Sequence, residues 1–116
     1  MNNSMIHQDT LEETQEILLN VYESLKELTL ENLKERIDFI TKAFKHLQEN
    51  VIKEEFIKDT NNKVDDLLKK IKRNMLMFER IALSDVKPEN YINKQPMLTH
   101  WVKYYVEQVD RLLKNG

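Results

Sequence analysis

Leu33-Lys-Glu-Arg-Ile37-Asp-Phe-Ile40-Thr-Lys-Ala-Phe44-Lys-His-Leu47-Gln-Glu-Asn-Val51 is the stretch on which the fold turns. Its apolar residues Leu33, Ile37, Ile40, Phe44, Leu47 and Val51 alternate spacings of four and three. That is the period of one stripe along an α-helix and a coiled-coil-like seam. Between the stripe positions stand Lys, Glu, Arg, Asp and Gln, so one side is greasy and the other wet. Ile52, Phe56 and Ile57 carry the pattern on with a change of phase. The spacing predicts a helix from about Leu30 to Lys58.

The same period extends in both directions. Upstream, Leu11, Leu18, Val21, Leu25 and Leu28 form a stripe widened by Ile17 and Tyr22. Thr10 with Glu13 reads as a capping box, which predicts a first helix over 10–28 and leaves 1–9 as a disordered tail. From Leu28 to Leu33 the step is five, one more than register allows, which predicts either a break near Thr29 or one helix of nearly fifty residues that absorbs the slip by a local change in winding. Downstream, Asp59-Thr60-Asn61-Asn62 is a turn signal. Asn62 is suited to cap a third helix, with Asp65 and Asp66 favourably placed in its first turn. Val64, Leu68, Ile71, Met75, Phe78 and Ala82 give that helix its seam, ending near Leu83. Ser84–Gln95 has no clear period and reads as an irregular connection, with room for a short helical turn around Pro88-Glu89-Asn90-Tyr91-Ile92. Pro96 suits the first turn of a last helix, where its missing N–H costs nothing. Leu98, Trp101, Val102, Tyr105, Val109 and Leu112 form the apolar face that follows.

Four amphipathic helices bury their stripes most simply against one another. The expected fold is all-α: an antiparallel four-helix bundle, one domain over 10–116, with three long helices and a C-terminal one. The ends of the second and third helices are expected to project, leaving seam for a partner.

Composition removes many activities. The 116 residues include no cysteine, one glycine at the very end, and two prolines. Thiolate chemistry and cysteine-based metal sites are excluded, as are glycine-rich phosphate loops, dinucleotide fingerprints and nucleophile elbows. No apolar run approaches the ~20 residues of a membrane span, and the N-terminus has no signal-peptide pattern. The expectation is a soluble intracellular protein, in cytoplasm or nucleus, with no cofactor and no membrane association. The histidines lack ligand spacing. Ala43 stands three residues before His46 and Met97 three before His100, where a di-iron bundle needs Glu. No metal and no catalytic constellation is expected.

Charge is unevenly distributed although the net charge is only −2. Residues 1–39 hold nine acids and three bases, residues 40–80 ten bases and seven acids. Glu12, Glu16 and Glu23 place an acidic face on the first helix. Lys69, Lys70, Lys72 and Arg73 make a compact basic patch on the third, of the kind that meets phosphates. The plain expectation is that these two faces meet each other or solvent. Trp101 and Tyr105, one turn apart, are expected in the core, whereas Tyr104 and Tyr91 are candidates for exposure. Met75 and Met77 read as core filling, and Leu19, Leu30, Ile52 and Leu76 lie outside the seams.

These features predict a non-enzymatic helical module for protein–protein interaction, an adaptor or subunit that binds a partner or itself through helix faces. The surface expected to organise it is Leu33, Ile37, Ile40, Phe44, Leu47 and Val51, with Tyr91 and Tyr104. One rival is a regulator that binds nucleic acid or another polyanion through Lys69, Lys70, Lys72 and Arg73. Another is an inhibitor or immunity-type protein that works through the acidic first helix.

Overall fold

The computed structural model describes the backbone of residues 2–53, 63–83 and 88–115, and the side chains of 8–53, 63–77 and 92–114. These residues form four α-helices: α1 Asn2–Lys26, α2 Leu33–His46, α3 Lys63–Leu83 and α4 Pro88–Asn115. A π-helical turn, Leu47–Val51, follows α2 directly. The neighbouring pairs are α1 with α2, α2 with α3, α3 with α4, and α4 with α1. Paired contacts fix the directions. Gln15 meets Asp110 while Leu25 meets Gln95, so α1 and α4 are antiparallel. Glu13 meets His46 while Glu27 meets Arg36, so α1 and α2 are antiparallel too. The result is an up-down-up-down four-helix bundle, 48 Å long and 24 × 19 Å across.

The core is built from the predicted stripes. Leu18, Val21, Leu25, Ile40, Leu47, Leu68, Ile71, Met75, Val102 and Val109 are fully enclosed. One polar residue joins them. Thr14 fills the seam position between Leu11 and Leu18, is wholly buried, and among the described residues no hydrogen-bond partner reaches its hydroxyl. The ion pairs Lys26–Glu23, Lys42–Asp38, Lys70–Asp66 and Lys114–Asp110 lie on exposed surface, where solvent screens them and they contribute little, so packing carries the fold.

The break near Thr29 is present and needs neither glycine nor proline. Thr29 N–H donates to Asn32 Oδ1 at 2.8 Å, and Asn32 N–H donates to Thr29 Oγ1 at 3.3 Å. Asn32 Nδ2 then donates to the Glu27 carbonyl at 2.8 Å, one of the orphans at the end of α1. The phase change after Leu47 also has a cause. Ile52 N–H reaches back five residues to the Leu47 carbonyl at 2.7 Å. This wider turn lets both Val51 and Ile52 point inward.

Several expected boundaries move. α1 begins at Asn2, so residues 2–9, expected as a disordered tail, are helical. No glycine or proline stops the packed helix from extending N-terminally, and propagation is easy once a nucleus exists. Thr10 is therefore buried inside a helix rather than capping one. α2 leaves α-geometry at His46, shorter than expected. α4 is the longest helix, because Pro88 and not Pro96 holds its first position. Most of the expected irregular connection, residues 88–95, is therefore helical. Pro96 lies inside α4 on the solvent side, where water can satisfy the Ile92 carbonyl that it deprives of a helical donor. The expected turn at 59–62, the Asn62 cap, and Phe56 and Ile57 lie outside the described residues.

Candidate docking groove between α3 and α4

The surface expected to receive a partner is spent within the chain. Leu33, Ile40, Phe44, Leu47 and Val51 are buried in the bundle's own core, and Ile37 packs half-buried against it. The π turn ends that helical run at Val51; residues 54–62 and the side chains at the end of α3, where the helices are expected to project, lie outside the described residues. Tyr91 is helical, but its side chain lies outside the described ones. Tyr104 is half exposed, as its position beside Tyr105 predicts.

Tyr104 stands at the end of a line of rings that leads from the core to the surface. Phe44 and Trp101 stack edge-to-face with ring centroids 6.3 Å apart, Trp101 and Tyr105 at 5.1 Å, and Tyr105 and Tyr104 at 5.2 Å. Such edge-to-face pairs hold ring orientation as well as burying area. Tyr105 is pinned further. Asn74 Nδ2 donates to its hydroxyl and to the Lys70 carbonyl, both at 2.9 Å. Burial pushes the Tyr105 phenol above its ordinary pKa, so it stays protonated and neutral.

Beside these rings an open groove of about 490 Å³ lies between α3 and α4. Its α3 wall is Lys63, Asp66, Leu67 and Lys70, spaced as one helix face. Its α4 wall carries Tyr104, Gln108, Arg111 and Leu112. Leu67 and Tyr105 form a buried floor. Three cations and one anion border the groove. Lys70 Nζ bonds Asp66 at 3.0 Å, and that hydrogen bond holds the ammonium above its usual pKa.

The basic patch does not act as one unit. At about 100° per residue, Lys69 and Arg73 share one stripe of α3, and Lys70 turns from it toward the groove. Lys69, Lys70 and Arg73 are exposed and Lys72 is half-buried. Acidic α1 and basic α3 do not pair as neighbours; they occupy a diagonal of the bundle, which leaves Glu12, Glu16 and Glu23 exposed. Among the described residues no three His, Asp or Glu side chains gather to hold a metal ion, and no helix is long and apolar enough to cross a membrane.

Sequence reasoning missed how the groove is flanked. Met77, expected in the core, is 58% exposed, and so is Met97, while Leu76 also faces out. Met77 lies seven residues beyond Lys70, and Lys70 seven beyond Lys63, so the three share a stripe with only ~20° of drift per heptad. On α4 the same relation joins Arg111, Tyr104 and Met97. Asn74 lies beside Tyr105, while Lys63 and Leu67 share the groove with Arg111 and Leu112, so α3 and α4 run antiparallel. The two cationic ends therefore coincide, and so do the two methionine ends. Ile52, the other off-seam residue, is buried; Leu19, Leu30 and Phe39 are exposed on other elements.

The chain matches no family model, and searches of curated proteins and of solved structures return no match.

Proposed function

We propose that this chain is a non-enzymatic protein–protein interaction module, an adaptor or complex subunit, and that it docks its partner on the α3–α4 face. The observation that carries the reading is an open groove between α3 and α4 with half-exposed Tyr104 in its wall, and Met77 and Met97 exposed on the same two helices. Flexible thioethers and a tyrosine held at its base by neighbouring rings suit a surface that adapts to a partner. Binding through a helix face needs no cofactor, and cytoplasm or nucleus serves it equally.

The polyanion reading has less support. Lys69, Lys70, Lys72 and Arg73 spread over more than one side of α3, and Lys70 is bonded to Asp66. The inhibitor reading keeps an exposed acidic α1 but, among the described residues, has Leu19 alone as a large exposed anchor within that face.

The test is co-purification from the native cell with tagged wild type, Tyr104→Ala, Met97→Ser and, as control, Phe39→Ser on α2. The reading expects a partner that both α4 variants lose and Phe39→Ser keeps. A partner lost only with Phe39→Ser, or one that no variant disturbs, overturns it.

A further inference from the structure

We infer that the α3–α4 groove seats an acidic amphipathic helix of another protein, with carboxylates toward Lys63, Lys70 and Arg111 and an apolar stripe across Tyr104 toward Met77 and Met97. The inference rests on the docking face proposed above and names what fits it.

One end of the groove carries three cations against the single carboxylate of Asp66. The Lys70–Asp66 pair is solvent-exposed, so it is weak and readily exchanged for a partner's carboxylate. The chemistry changes along the groove. From Lys63 to Met77 spans about 21 Å at 1.5 Å per residue, and beyond Tyr104 the exposed Met77 and Met97 add apolar surface to the cationic half, with Arg73 and His100 exposed beside them. A phosphate backbone calls for cations along the whole track. A segment with acids at one end and apolar residues at the other complements both halves. Two antiparallel helices with a furrow between them offer the ridges against which a further helix packs, and apolar anchors spaced three and four apart would follow that furrow. A second copy of this chain is a poorer occupant. Among the described residues its exposed acidic stripe of Glu12, Glu16 and Glu23 presents Leu19 as its large apolar anchor, against Tyr104, Met77 and Met97 on the α3–α4 face.

The experiment uses the full chain and two labelled synthetic helices of about 18 residues, some 27 Å long. They share one Leu/Phe stripe and differ only in carrying Glu or Lys around one end. Fluorescence anisotropy should show the acidic peptide binding at least about tenfold tighter than the basic one, weakening as salt rises. Lys63→Glu/Arg111→Glu and, separately, Tyr104→Ala should each weaken it about tenfold, the loss of a good anchor. Lys70→Arg should retain binding. All these sites are exposed, and unchanged circular dichroism verifies folding. Equal affinity for both peptides, or none for either, overturns the inference. Tighter binding of a DNA duplex than of the acidic peptide overturns it in favour of a polyanion. Sedimentation as a dimer that Tyr104→Glu dissociates overturns it in favour of a second copy. If neither peptide binds while Tyr104→Ala still loses the native partner, the inference falls and the docking face stands; if the native partner maps to α2, both fall.

Discussion

Replacing Thr14 with valine should stabilise the protein. The side chain is wholly enclosed in the α1 seam, and among the described residues its hydroxyl finds no hydrogen-bond partner. A buried hydroxyl left so costs about 1–3 kcal/mol. Valine keeps the branched shape and has nearly the same helix propensity as threonine. What changes is the desolvated oxygen, and its removal should add about 1–2 kcal/mol. Unfolding entropy of roughly 2.1 cal/mol/K per residue over this chain converts that into a rise in Tm of about 4–8 °C. Thermal melts followed by far-ultraviolet circular dichroism measure it, and urea titration should show a higher midpoint with unchanged slope. Thr14→Ser, which keeps the hydroxyl and removes the methyl, is the opposing control and should fall below wild type. If valine melts at or below the wild-type temperature, the hydroxyl is hydrogen-bonded in solution and the reasoning fails.

Other expectations follow from the same packing. Ile52→Ala opens a cavity beside the π turn and should cost about 2–5 kcal/mol, read as a lower urea midpoint. Asn32→Ala removes the two side-chain bonds at the α1–α2 corner, those with the Thr29 N–H and the Glu27 carbonyl, and should cost about 1–2 kcal/mol, with amide exchange quickening first at Thr29. Lys114, then Gln15, hold the Asp110 carboxyl below its ordinary pKa. The stabilisation linked to that depression is complete above the ordinary aspartate value of about 3.9 and disappears as pH falls through the lower folded one. An NMR titration should show the low midpoint, and Gln15→Ala should move it part of the way back up.

Most of the fold is legible in the sequence, because burial imposes the three-and-four period wherever a helix packs. The Leu28–Leu33 slip marks a real corner, and the Leu33–Val51 stripe is core. Ends are less legible. Thr10 and Glu13 resemble a capping box, yet with no breaker upstream the helix passes straight through them. Either proline fits the start of α4, and only packing decides between Pro88 and Pro96. Thr14 looks like a surface residue by type and is a core residue by position, which its place midway between Leu11 and Leu18 signals. The groove was beyond one-dimensional reasoning. It arises from how α3 sits against α4, and no spacing within either helix reveals that Lys63 comes to lie near Arg111. Tyr104 was accessible to such reasoning because its neighbour Tyr105 takes the inward place.

The turn at Leu47–Val51 has a bearing on how this chain tolerates changes of length. It holds one amino acid more than an ordinary coil needs between Leu47 and Ile52. Excising Glu49, whose side chain lies in solvent, would let that coil close normally, with Val51 and Ile52 now three and four places after Leu47 and both still facing inward. Most trimmed helices must rotate everything downstream of the cut. Here the slack already exists, so this is where kindred sequences can differ by a single residue without disturbing the bundle.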